Sequence, residues 1–183
     1  MTDQEQTCYP HRAVVDTCVI VNVALGKKDN LPPEYLARSR KLLDDAIVQK
    51  RLELFIPTMT LIELASEHEI NSRQGVSGAD MRRCKKLLLD WCERCDLPAV
   101  DLTVEAVEWF RQTPEIRRLR PGDAAVLASA KYAGAEVVYT WDTGFIKAVE
   151  DANVGDSLGI NVCEPPVIPE PSASQEAEYA LFD

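Results

Sequence analysis

Apolar residues recur along this chain at two different spacings, and the alternation between them predicts strands interleaved with helices. The run "AVV" at residues 13–15 reads as a short buried strand, and "TCVIVNVAL" continues it as an apolar helix. "PPEYLARSRKLLDDAIVQK" opens with prolines, which suit the first turn of a helix, and then repeats apolar residues at helical spacing. "LELFIP" is a second strand, broken at Pro57, and "TMTLIELASEHEINSRQ" a helix after it. "GVSG" is a loop whose Ser77 caps the long helix "ADMRRCKKLLLDWCERC". "LPAVDL" is a short third strand, and "TVEAVEWFRQ" a helix capped by Thr103. "PEIRRLRPG" is a turn or short helix, and "DAAVLASAKYAG" a small-residue helix ended by Gly134. "AEVVYT" is the fourth strand, "TGFIKAVEDA" a helix and "GINVCEP" a fifth strand.

Strands that alternate with helices in this way predict an α/β sandwich with a mainly parallel sheet. The sheet-forming part runs over residues 13–163. A polar extension, 1–12, precedes it, and an acidic, Pro-rich tail, 164–183, follows, with the composition of a mobile segment. No repeat of 20 to 50 residues is visible.

A chain of 183 residues with 46% hydrophobic content is long enough for one domain with a sizeable core. No apolar run is long enough to span a bilayer, and the polar opening lacks the apolar stretch of a secretory signal, so a cytoplasmic protein with no membrane partner is expected. The six cysteines then predict thiols, not disulfides, and "CERC" lacks the second close pair that a structural zinc needs.

A net charge of −10 argues against a nucleic-acid binder until it is mapped. Eight acids and no Lys or Arg follow Lys147, which leaves 22 acids against 20 bases in residues 1–147. Those bases cluster as "RSRK", "RRCKK" and "RRLR". The third cluster, Arg117, Arg118 and Arg120, is the expected RNA-binding footprint, and the second a solvated or dimer-forming face.

The acids of the first part carry the chemistry. In a parallel sheet, ligands bind outside the carboxyl ends of the strands. Asp16 ends the first strand and Asp142 follows the fourth. Glu63 lies in the first turns of the helix after "LFIP", and Asp123 opens the helix after "LRPG". Each has a plainer explanation, since Asp caps helices and favours their positive starts. Yet Asp16, inside "VVDTCVIV", has no basic neighbour in sequence, and a lone buried carboxylate costs several kcal/mol. Four carboxylates converging without a base predict an oxygen-ligand site for a hard cation such as magnesium or manganese.

Together "VVDTCVI", "IPTMTLIELASE", "PGDAAVLASAKYAGAEVVYT" and "TWDTGF" resemble the PIN domain, of the VapC-like toxin ribonuclease type, over about residues 13 to 163. The resemblance implies a three-layer α/β/α fold, a magnesium or manganese site and cleavage of single-stranded RNA. It implies Asp16 and Asp123 as core metal ligands and Glu63 and Asp142 as the rest of the catalytic, metal-holding set. Thr17 and Thr140 would support them by hydrogen bonding, and Phe145 would anchor the packing. The implied partners are an RNA substrate, an antitoxin protein and a second copy of the chain. The segments near "GKKDNLPP" and "HEINSRQGVSGADMRR", and the acidic tail, exceed the compact form of that family.

Two other readings compete. A haloacid-dehalogenase pattern needs a second Asp two residues after the first, where this chain has Cys18. A non-catalytic PIN-like module, binding RNA or protein without turnover, would use the same fold.

Overall fold

The computed structural model describes residues 9–26, 32–66, 77–94 and 97–168. Its elements follow the expected alternation. Strand β1 (Arg12–Val15) leads into α1 (Thr17–Leu25) and α2 (Pro33–Ile47). Strand β2 (Glu53–Pro57) is followed by α3 (Thr58–Ala65) and α4 (Gly78–Arg94). Strand β3 (Ala99–Val100) precedes α5 (Val104–Gln112), a 3-10 turn (Pro114–Arg118) and α6 (Pro121–Ala133). Strand β4 (Val137–Tyr139), α7 (Thr143–Asp151), α8 (Val154–Leu158) and β5 (Asn161–Cys163) complete it.

All strand pairs are parallel, in the order β3-β2-β1-β4-β5. The chain builds outward from β1 to one side, then crosses back to build the other side from β4. That reversal opens a crevice beyond the carboxyl ends of β1 and β4, the place where open parallel sheets bind ligands.

Alternate residues of β1 face opposite layers, as a pleated strand requires. Ala13 and Val15 join a core with Ile20, Leu42, Leu54 and Leu88, beneath α1, α2, α3 and α4. Val14 joins a second core with Ile116, Leu127, Val138, Phe145 and Val162, beneath α5 to α8. The fold is thus the expected three-layer α/β/α sandwich. Phe145 is among the largest fully buried side chains, as its role of packing anchor requires.

Local signals explain most element ends. Thr103 accepts from Ala106 N at 3.2 Å, and Ser77 from Asp80 N at 3.2 Å, so both predicted caps are made. Gly134 closes α6 in the left-handed conformation, with φ 62°. Two helices differ from the sequence reading. The helix after β2 closes at Ser66, whose amide bonds Ile62 O, and its expected extension to residue 74 lies outside the described residues. Helix α8 was not expected: "VGDSL" is poor in helix formers and starts after Asn153 at φ 51°.

The tail is not free from its first residue. Arg38 donates to Pro165 O at 2.8 Å and pairs with Glu164 at 3.0 Å, and Pro165 is buried. The tail beyond Ile168, the segment before Tyr9, the insertion at 27–31 and the "CERC" thiols lie outside the described residues or side chains. Among the described residues no helix is long and apolar enough to cross a membrane.

Candidate active site

Two of the expected acids cap the helices that leave the crevice. Asp16 Oδ1 accepts from Thr17 N at 2.7 Å, and Asp142 Oδ1 accepts from Gly144 N at 2.7 Å and Phe145 N at 3.1 Å. Capping uses one carboxylate oxygen and leaves the second for other work. In Asp16, Oδ2 accepts from the Thr140 hydroxyl at 2.6 Å and the Cys18 thiol at 3.2 Å. Thr140 is fully buried and also accepts from Asp142 N at 3.0 Å. One hydroxyl therefore ties the acid after β1 to the acid after β4.

The other two acids arrive from α3 and α6. Thr17 donates its hydroxyl to Glu63 Oε2, which fixes Glu63 one residue from Asp16. A Cβ added at Gly122 would stand 3.2 Å from Glu63 Oε1, so the start of α6 runs close against that carboxylate. Asp123 lies in the first turn of α6, two residues inside its Pro121 start, and is not the cap itself. The structure thus gathers Asp16, Glu63, Asp123 and Asp142, with Thr17 and Thr140 between them, along one edge of the sheet.

The crowding is visible in the acids' chemistry. Burial raises the Asp16 carboxyl above its ordinary range, against hydrogen bonds from Thr140, Cys18 and Thr17 that pull it down; the charge of Asp142 adds to the rise. Burial likewise pushes Asp123 up to about 6, opposed by Arg120 and reinforced by Asp142 and Asp16. These groups feel one another as like charges, the state that a shared cation relieves.

One expectation needs correction. The sequence suggested four acids without a base, but Arg120 stands among them. Its Nη1 is 3.3 Å from Asp142 Oδ2 and its Nε 3.9 Å from Asp123 Oδ2. The expected RNA footprint is split accordingly. Arg120 faces the acids, Arg118 is exposed, and Arg117 turns back to donate to Arg111 O at 2.7 Å. Cys18 was also missed as a member of the site. Its sulfur accepts from Trp141 N at 3.0 Å and lies 3.3 Å from Thr140 Oγ1.

For a divalent cation the donors fit in kind, being carboxylate and hydroxyl oxygens suited to a hard ion. They do not form a finished cage: among the described residues no three His, Cys, Asp or Glu side chains are grouped closely enough to hold a metal. Two of the four acids, Asp142 and Asp123, pair instead with Arg120.

A three-layer fold with a parallel sheet and acids at its switch point defines the class of open, parallel α/β proteins. Within that class the PIN-domain family model matches residues 13–151, and the chain belongs to that family. No curated protein matches it in sequence. Among solved structures, FitAB bound to an IR36 DNA fragment is similar at TM-score 0.52 and 17% identity, covering 87% of this chain and 99% of that one. VapBC2 from Rickettsia felis, bound to a DNA fragment from its promoter, is similar at TM-score 0.50 and 13% identity, covering 82% and 96%. These likenesses concern the fold.

Proposed function

We propose that this protein is a magnesium- or manganese-dependent endoribonuclease that hydrolyses single-stranded RNA, serving as the toxin of a toxin–antitoxin pair. The observation that supports this best is the convergence of four acids on the switch-point crevice: Thr140 links Asp16 to Asp142, Thr17 holds Glu63, and Asp123 feels the charges of Asp142 and Asp16. Structural capping alone explains one oxygen of Asp16 and one of Asp142. It leaves unexplained why four carboxylates share one edge.

Asp16 and Asp123 would hold the metal, with Glu63 and Asp142 beside them. The bound ion would supply Lewis-acid charge and make water a usable nucleophile for phosphodiester hydrolysis at neutral pH. The chain's own residues prepare that chemistry. Thr140 and the Thr17 amide fix the orientation of the Asp16 carboxylate, and Thr17 holds Glu63. Asp142 keeps α7 capped with one oxygen while presenting the other to positive charge. Arg118, with Arg117 beside it, would guide the RNA backbone to this edge. The FitAB and VapBC2 complexes support an antitoxin as protein partner. A second copy of the chain is the other partner proposed, and the exposed Val104, 82% accessible, is an apolar residue free to meet it among those described.

Purified protein should cleave single-stranded RNA with added magnesium or manganese, and EDTA or Asp16→Asn should abolish cleavage without unfolding it. The Arg120 pairing with the acids favours a second reading, a PIN-domain module that binds without turnover. RNA binding with no metal-dependent cleavage would establish that reading and overturn the first.

A further inference from the structure

The chain carries a cation of its own into the acidic cluster. Arg120 precedes α6 in extended backbone, φ −60° and ψ 150°, so its side chain leaves the helix start and crosses to α7. There its Nη1 meets Asp142 Oδ2 at 3.3 Å, while Nε stands 3.9 Å from Asp123 Oδ2. A place is kept for it: a Cβ on Gly144 would come within 2.7 Å of Arg120 Nη2. The same Cβ would stand 2.9 Å from Asp142 Oδ1, so Gly144 leaves room for both members of the ion pair. The arm itself is 66% exposed, so it can swing into solvent without unpacking the core.

Resting on the metal reading above, we infer that Arg120 is an internal counter-ion, displaced from Asp123 and Asp142 when the divalent cation binds. A guanidinium keeps its charge at every accessible pH, so it yields the site by moving and not by titrating. While it is seated, it neutralises part of the charge that would attract the metal and covers an Asp142 oxygen. The metal-free cluster is thereby spared some of its self-repulsion, and metal affinity is lowered by the strength of the ion pair. For an exposed pair that strength corresponds to at most about a fivefold change in affinity.

Manganese binding to metal-free protein, measured by titration calorimetry and by the metal-dependent rise in melting temperature, tests the inference without any cleavage assay. Arg120→Gln should tighten manganese binding about three- to fivefold relative to the unmutated protein. Arg120→Lys keeps a charge but only a single point donor, and should fall between the two. Asp16→Asn should lose the metal response, which ties the signal to this cluster. If manganese binds the unmutated protein but Arg120→Gln binds it equally or more weakly, Arg120 is no competitor and the inference fails alone. If Arg120→Gln does not fold, Arg120→Lys decides by the same comparison. If no folded variant and no unmutated protein responds to metal, the metal reading fails and takes this inference with it.

Discussion

Asp123→Asn should stabilise the metal-free protein, with a pH dependence set by one carboxyl group. Burial, against the pull of Arg120, moves that group from 3.8 to about 6. A shift of roughly two units, at about 1.36 kcal/mol each, corresponds to roughly 3 kcal/mol. The folded state holds this proton more tightly than the unfolded chain, so the associated stability is whole below pH 3.8 and is lost as pH rises through about 6. An amide does not titrate. The variant and the unmutated protein should therefore be nearly equal at pH 4, with the variant ahead by roughly 2 kcal/mol or more at pH 8. The side chain is only 16% exposed, so solvent screening trims the effect without removing it. The Arg120 contact is already counted in the net rise of this carboxyl and is not subtracted again. Asp16, raised in the same direction, is present in both proteins and largely cancels from the difference. Urea denaturation in EDTA across this pH range measures the effect. A difference that stays flat with pH, or a variant that is weaker at pH 8, would show that the cluster does not strain the fold. Manganese at a hundredfold its dissociation constant should close most of that gap, adding about 2.7 kcal/mol to the protein that binds it.

Asp142→Asn should keep α7 capped, because Asn caps about as well as Asp, yet should lose RNA cleavage; a fully active variant with a normal melting curve would make Asp142 only a cap. Phe145→Ala should cost about 3–5 kcal/mol in urea denaturation, because the ring is only 1% exposed in the second core. Arg117→Glu with Arg118→Glu should weaken RNA binding and flatten its salt dependence while leaving manganese binding intact, and an unchanged slope would move the RNA path elsewhere. Thr140→Val should lower the melting temperature and also weaken manganese binding, since it strips the buried Asp16 carboxylate of a 2.6 Å hydrogen bond.

Much of this was legible because the acids stand at transitions that sequence pattern marks well. Asp16 separates "VVD" from an apolar helix, and Asp142 separates a short strand from "TGFIKAVE", so both fall at strand ends whatever the sheet order. The order itself was not legible. Strands of two to five residues carry apolar faces too short to encode their neighbours, and pairing such as Val14 with Phe55 is decided by the helices packed across them. The Arg120 contact was hidden for a different reason. It spans 22 residues to Asp142, with no periodicity to announce it, and "RRLR" reads as one basic patch until α6 turns its last member inward. Only the i,i+3 spacing of Arg120 and Asp123 hinted at a partner. The membership of Cys18 was equally silent, since a thiol on an apolar helix ordinarily reads as packing.

The family match ends at residue 151, but the fold's working length is greater. Thr140, whose hydroxyl holds Asp16, has its own amide bonded to Cys163 O at 2.9 Å. Beyond β5, Arg38 grips Pro165 and Glu164 while its guanidinium lies 4.7 Å over the ring of Trp141, the residue before Asp142. Tyr35 stacks on Trp141 with the rings 15° from parallel and their centres 3.8 Å apart, and Trp141 donates its indole N–H to Ser39 at 2.8 Å. Anyone trimming this protein to the recognised family boundary, or fusing a reporter directly after it, would cut the fifth strand and the strap from beneath the acid-bearing loop. A cut or a fusion that keeps every residue through Ile168 retains the fifth strand and the strap that Arg38 makes with Glu164 and Pro165.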